Sequence, residues 1–253
     1  MIQEVCRVVE NRSIADGFYS MMLDAPQAAA EALPGQFVHI TCEGSQLCRP
    51  ISICEASVDK GTLRLVYQVR GTGTAWMSGR DVGESLRILA PLGRGFTPPD
   101  GIRYPVLVGG GLGVPPLLEL AKGLERPAAL LGFRNAGAAI LTQDFEGVGA
   151  KVNIATDDGS LGRQGLVTEL LRERIEAGQC DYIATCGPLP MLAGVSALAQ
   201  ESGIPCQISL EERMGCGMGA CLVCVCKVKK SDGEGYARVC ADGPVFWAQE
   251  VVL

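Results

Sequence analysis

Residues 104–120 read YPVLVGGGLGVPPLLEL, the most apolar stretch of the chain. An apolar run ends in three adjacent glycines, and two prolines follow where a helix would make its first turn and a missing N–H costs little. The glycines and prolines break the run, so it reads as strand, turn and helix and not as a membrane span. The same alternation continues downstream. AALLGF and KVNIAT read as strands, LVTELLRERIEAG as a helix, DYIATCG as a strand, MLAGVSALAQESG as a helix and PCQISLEE as a last strand. Strands alternating with helices predict an α/β doubly wound parallel sheet.

Upstream the pattern differs. GQFVHITC, RPISIC, TLRLVYQV and ESLRILA are short, rich in branched and aromatic residues, and separated by Gly, Pro and Asp turns. That spacing predicts a small N-terminal antiparallel β-barrel. The final forty or so residues hold a cysteine cluster and a predicted hairpin, VCKVKKSDGEGYARVC, turning at Asp232-Gly233. The chain therefore divides into 1–100, 101–210 and a small C-terminal subdomain, 211–253. It contains no internal repeat and no low-complexity segment.

A length of 253 residues suits one large domain or two ordinary ones, and 47% hydrophobic with 20% charged residues is the balance of a folded globular protein. The net charge of -6 comes without a Lys/Arg cluster, which argues against nucleic-acid binding. The opening MIQEVCRVVENRS lacks the charged-then-apolar layout of a signal peptide, so a cytoplasmic location is expected. In that reducing setting the scattered Cys6, Cys42, Cys54, Cys180, Cys186 and Cys206 are expected to be small buried hydrophobes.

The glycine turn could do more than turn. Backbone N–H groups at a helix start suit a pyrophosphate, and glycine lets the backbone approach it. Gly109 and Gly111 begin a G-x-G-x-x-G, but position 114 is Val, so the fingerprint is incomplete and a purely structural turn fits as well. Cys186-Gly187-Pro188 ends another strand of the same sheet. Ligands collect at such carboxyl ends, so the two loops are expected to face one site. Asp157 and Asp158, in TDDGSLG, would repel a 2′-phosphate and favour NAD over NADP, although Asp also serves simply to form turns.

Cys216, Cys221, Cys224 and Cys240 follow C-x4-C-x2-C with a distant fourth cysteine, the plant-type spacing for a [2Fe-2S] cluster. Gly215, Gly217, Gly219 and Ala220 leave room for backbone N–H groups to point at the sulfurs. Zinc is the alternative, but the tail supplies no second short Cys knuckle. Cys226 leaves the fourth ligand ambiguous, because a strand would turn Cys224 and Cys226 to one face.

RPISI (Arg49, Pro50, Ile51, Ser52) and VYQVRGTGT (Val66, Tyr67, Gln68, Gly71, Gly73, Thr74) resemble the FAD-binding domain of the ferredoxin–NADP reductase superfamily. The resemblance implies that Arg49 and the Gly73-Thr74 pair meet the flavin pyrophosphate and that Ser52 lies by the isoalloxazine ring. It also gives Gly110, Gly111, Gly113 and Cys186 to the nicotinamide nucleotide. More closely, LEERMGCGMGACLVCVCKV and VCADGPVF, with PLGRGF, VGGGLGVPPL, TDDGSLGRQG and CGPLPML, resemble the family of electron-transfer subunits of class B dihydroorotate dehydrogenases along essentially the whole chain.

That family implies FAD, a [2Fe-2S] cluster and NAD. It further implies a partner, an FMN-containing dihydroorotate dehydrogenase catalytic subunit, in a heterotetramer. Electrons from dihydroorotate would pass singly through the cluster to FAD, and a hydride would then go to NAD+. No general acid or base is assigned, and the lone His39 leaves little scope for histidine catalysis. Glu211 and Glu212 stand either near the flavin edge or in a solvated turn. Two alternatives stay open: a ferredoxin:NAD(P) oxidoreductase or hydrogenase diaphorase subunit, and a non-enzymatic zinc-binding protein.

Overall fold

The computed structural model describes residues 1–230 and 233–253. Six strands close the N-terminal barrel: β1 (Ile2–Ala15), β2 (Phe18–Asp24), β3 (Phe37–Ile40), β4 (Arg49–Ser57), β5 (Thr62–Gln68) and β6 (Ser85–Leu92), in the order β1-β2-β5-β4-β3-β6. All neighbouring strands are antiparallel. Alternation along β5 sends Leu63, Leu65 and Tyr67 into the barrel core with Val38, Ile40 and Met77. Two helices absent from the sequence reading complete this part: α1 (Pro26–Glu31) and α2 (Thr72–Ser78). Buried Glu4 of β1 accepts the Gln27 and Ala28 N–H groups of α1, which have no intrahelical partner.

The second part contains β7 (Pro105–Gly110), α3 (Pro115–Lys122), β8 (Ala128–Phe133), α4 (Thr142–Gly147), β9 (Lys151–Thr156), β10 (Arg163–Gln164), α5 (Val167–Glu176), β11 (Tyr182–Cys186), α6 (Leu189–Glu201) and β12 (Cys206–Ser209). The predicted alternation is present, with α4 and the two-residue β10 in addition. β7 is buried along its whole length because both faces are covered. Val106 and Val108 pack with Leu171 of α5 and Val195 of α6. Leu107 faces the other way, toward Leu117 of α3 and Phe145 of α4.

The C-terminal part begins with the hairpin of β13 (Val225–Lys230) and β14 (Gly233–Arg238). Its predicted turn at Asp232-Gly233 lies partly outside the described residues. The chain then returns to the parallel sheet. β15 (Val245–Trp247) pairs antiparallel with β12 and completes the order β10-β9-β8-β7-β11-β12-β15. An edge strand from the cysteine-bearing segment is thus built into the parallel sheet.

A half-buried charge network joins barrel to sheet. Arg64 of β5 is bonded to Glu55 of β4 and to Asp144 of α4, and Lys122 of α3 pairs with Glu55 at 2.8 Å. Glu119 of α3 accepts the Ala56 N–H. Cys6, Cys42, Cys54, Cys180, Cys186 and Cys206 are all buried, as their apolar surroundings predict.

Candidate flavin cleft and cysteine loop

A cleft of about 230 Å³ opens between the barrel wall and the carboxyl end of the sheet. From the barrel it takes Arg49, Pro50, Ile51, Ser52, Val66, Tyr67, Gln68 and Thr74. All eight are candidates from the sequence: β4 carries Arg49–Ser52, its neighbour β5 carries Val66–Gln68, and α2 carries Thr74. Tyr67 contributes least through its ring, which lies in the barrel core and donates its hydroxyl to Asn11 Oδ1 at 3.1 Å.

Arg49 is held in place twice. Its Nη1 donates to the Leu47 carbonyl at 2.8 Å, and its side chain lies across Gly73. A β-carbon on Gly73 would stand 2.9 Å from Arg49 Cγ and Cζ. The Thr74 hydroxyl accepts the Arg70 and Gly71 N–H groups, which closes the turn that presents Gly73 to Arg49. A planar guanidinium over a side-chain-free backbone is a cradle that suits the diphosphate of FAD.

Facing this wall are Leu112 of the glycine turn, Ser209 at the end of β12, Leu210, Glu211, Glu212 and Met214 after it, and Pro244 before β15. The glycine turn and the Cys186-Gly187 turn lie against each other, as expected for neighbouring strand ends. A β-carbon on Gly113 would overlap the Cys186 carbonyl, and one on Gly110 would stand 2.7 Å from Met191 Sδ. Gly111, at φ +54°, has open space beside it. Gly110 and Gly113 therefore set the close approach of two loops, while Gly111 faces open space. The Cys186 thiol is buried and pushed up by that burial, so it is a neutral group at the floor of this junction.

Glu211 reaches the cleft wall, where the surrounding protein pushes its carboxyl above the usual range against the pull of Arg70. Asp158 is engaged in its own turn: Oδ1 accepts both the N–H and the hydroxyl of Ser160. Phe37, Arg70, Leu112, Ser209, Leu210, Met214 and Pro244 were not singled out from sequence. Arg70 had a legible signal, standing inside the VRGTGT motif.

The segment from Glu211 to Met214 leaves the cleft and runs directly into the cysteine loop. Backbone hydrogen bonds tie the four cysteines into two pairs: the Cys221 N–H donates to Cys216 Sγ and the Cys240 N–H to Cys224 Sγ. No three metal-binding side chains among the described residues gather round a single point.

Backbone N–H groups crowd the sulfurs. Those of Met218, Ala220 and Cys221 donate to Cys216 Sγ at 3.4, 3.3 and 3.4 Å. Gly219 N–H donates to Cys240 Sγ at 3.1 Å, and Cys240 N–H to Cys224 Sγ at 3.4 Å. Burial raises the Cys216 thiol, but these donors and the Cys221 thiol outweigh it and bring the pKa down to about 6. Positive φ at Gly217 (+71°) and Gly219 (+82°) makes this folding-back possible. Arg238 locks the loop, forking onto Asp242 at 2.8 and 2.9 Å and donating to the Gly219 carbonyl at 3.2 Å.

Four cysteine sulfurs with N–H donors directed at them fit the ligand set of a two-iron cluster, which they would hold as thiolates. Cys226 lies on β13 opposite Ala237, while Cys224 precedes the strand and its Sγ accepts the Cys240 N–H.

Comparison with known proteins agrees with this geometry. Residues 211–252 match the family described as the iron-sulfur cluster binding domain of dihydroorotate dehydrogenase B. A dihydroorotate dehydrogenase B (NAD(+)) electron transfer subunit from Caldanaerobacter subterraneus subsp. tengcongensis is 43% identical over 98% of this chain and 97% of its own. A protein of the same name from Geobacillus sp. is 41% identical over 100% of both. Among solved structures, an NADH-dependent reduced ferredoxin-NADP oxidoreductase chain superposes with a TM-score of 0.87 at 27% identity, covering 98% of this chain and 90% of its own. The ferredoxin reductase of carbazole 1,9a-dioxygenase shares the fold, with a TM-score of 0.69 at 24% identity over 81% of this chain and 67% of its own. At more than 40% identity along its whole length, the chain belongs to the family of dihydroorotate dehydrogenase B (NAD+) electron transfer subunits.

Proposed function

We propose that this chain carries electrons from a dihydroorotate-oxidising partner to NAD+ in pyrimidine biosynthesis. It would serve as an oxidoreductase subunit with FAD, a [2Fe-2S] cluster and NAD as its cofactors and substrate. The observation that carries the reading is the continuity of one short segment: Glu211–Met214 wall the flavin cleft, and Cys216 follows two residues later. Two redox sites are thereby held at fixed separation by a covalent link. When bound, the cluster and the flavin convert single-electron transfers into delivery of a hydride to NAD+.

Around them this chain supplies binding and insulation. Arg49 and the Gly73-Thr74 turn hold the diphosphate of FAD. Pro50, Ile51 and Ser52, with Val66 and Gln68, form the wall beneath the ring. Cys216, Cys221, Cys224 and Cys240 hold the irons, with Cys226 left outside the ligand set. Gly110, Gly111, Gly113 and Cys186 shape the place where the nicotinamide nucleotide meets the flavin. Residues 1–100 serve FAD, 101–210 NAD and 211–253 the cluster. The catalytic partner is FMN-containing and the assembly is a cytoplasmic heterotetramer. No helix among the described residues is long and apolar enough to cross a membrane.

Anaerobically purified protein tests the cofactor assignment. It should release FAD on denaturation and contain about two irons with acid-labile sulfide per chain. Zinc at the cysteines, or no flavin, would overturn it.

A further inference from the structure

His39 is the single histidine of the chain and is 4% exposed. Alternation on β3 sends Val38 and Ile40 into the barrel core and turns Phe37 and His39 to the outer wall. Phe37 there joins the core beneath the cysteine loop, with Met214, Cys224 and Cys240. His39 meets the loop itself. A β-carbon on Gly217 would stand 2.8 Å from its Nδ1 and 3.1 Å from its Cγ. On the ladder His39 is opposite Pro50, which walls the flavin cleft. One imidazole thus abuts the cysteine loop from a strand position paired with a residue of the cleft wall.

Its Nε2 is buried and has no hydrogen-bond partner among the described residues. Burial, and then the charge of Arg49, hold its pKa below the ordinary histidine value, so the ring is neutral. A neutral ring has one donor and one acceptor nitrogen. Leaving a buried one unpaired is costly, and native proteins seldom do so without a group that completes the bond.

We propose that His39 is a positioning residue of the electron path: its ring fixes the cysteine loop at Gly217, and its Nε2 is the hydrogen-bond donor to the redox cofactor bound beside it. The acceptor is a cluster sulfur or a flavin heteroatom. The inference rests on the cofactor assignment above. A donor stabilises the more negative, reduced form of its acceptor, so losing it lowers that cofactor's potential.

Because there is one histidine, 15N-histidine labels one site. Pulsed EPR of the anaerobic holoprotein, partly reduced, should show 15N coupling to the paramagnetic cluster or to the flavin, and which of the two identifies the acceptor. No coupling to either overturns the proposal. In parallel, His39→Phe keeps the volume and removes the polar atoms, while His39→Gln restores a donor. His39→Phe should retain FAD and iron and shift one cofactor's one-electron equilibrium about tenfold toward the oxidised form, ~59 mV. His39→Gln should recover part of the shift. Wild-type potentials in His39→Phe with full cofactor content overturn the proposal while leaving the cofactor assignment intact. Wild-type protein without flavin or iron–sulfur bands would overturn both.

Discussion

Gly73→Ala is expected to weaken FAD binding while leaving the fold untouched. The added β-carbon would stand 2.9 Å from Arg49 Cγ and Cζ. Ordinary carbon contacts need about 3.5–4.0 Å, so the guanidinium must withdraw by roughly 1 Å. That carries it out of the roughly 2.7–3.2 Å window in which it can hydrogen-bond a phosphate oxygen. One charged hydrogen bond contributes about 1.5–3 kcal/mol, and about 1.4 kcal/mol is a factor of ten. The expected loss of FAD affinity is therefore about 10- to 150-fold. The obstructing atoms belong to a flexible side chain, and Ala is favoured over Gly in a helical turn by roughly 0.5–1 kcal/mol, so Tm should move by no more than about 2–4 °C. Gly71→Ala is the control, since φ there is -171° and nothing lies within 4 Å. Fluorescence of flavin released on serial dilution gives the affinities, and a thermal melt gives the stability. Wild-type FAD affinity in Gly73→Ala, or an equal loss in Gly71→Ala, would refute the assignment of Arg49 to the diphosphate.

Cys221→Ser should abolish dihydroorotate-driven NAD+ reduction in the complex while sparing NADH-driven reduction of an artificial dye; equal loss of both would contradict the division between cluster and flavin. Gly113→Ala sets a β-carbon into the backbone of Cys186 and should destabilise by about 3 kcal/mol and raise KM for NADH. Gly111→Ala has open space and should cost only the roughly 1–2 kcal/mol of a left-handed residue, which thermal melts and NADH titrations will compare. Glu55 is raised by burial, but its bonds to Lys122 and Arg64 prevail and lower its pKa from the ordinary 4.5. A depressed carboxyl stabilises fully above its unfolded pKa and loses that contribution as pH falls through the folded one. Tm should therefore fall below about pH 4.5 more steeply in the wild type than in Glu55→Gln, and parallel curves would show that the pair contributes nothing.

Much of the architecture was legible because its signals are local. Glycines and prolines bracket the β7 turn, and a fully apolar VLVGG can only be a strand covered on both faces. The cysteine spacing likewise singled out Cys216, Cys221, Cys224 and Cys240, which backbone N–H to sulfur bonds link in the structure. What escaped depends on tertiary context. α2 carries Gly-Thr-Gly-Thr at its start, which reads as loop, and becomes helix because Thr74 closes its first turn. β15 is three residues long and exists because the β12 edge is there to pair with it. Tyr67 belongs to a motif that touches the cleft, yet the period of two set by Leu63 and Leu65 turns its ring inward. His39 follows the same rule in reverse, and no pattern in the sequence reveals that the wall it faces is the cysteine loop.

The most direct test is made on protein drawn anaerobically from its native cells through a tag on this chain. Dihydroorotate and NAD+ are added to the recovered complex and NADH absorbance is followed. The account predicts NADH formation that requires both substrates. A preparation that shows flavin and iron–sulfur bands, reduces a dye with NADH, and forms no NADH from dihydroorotate would contradict it.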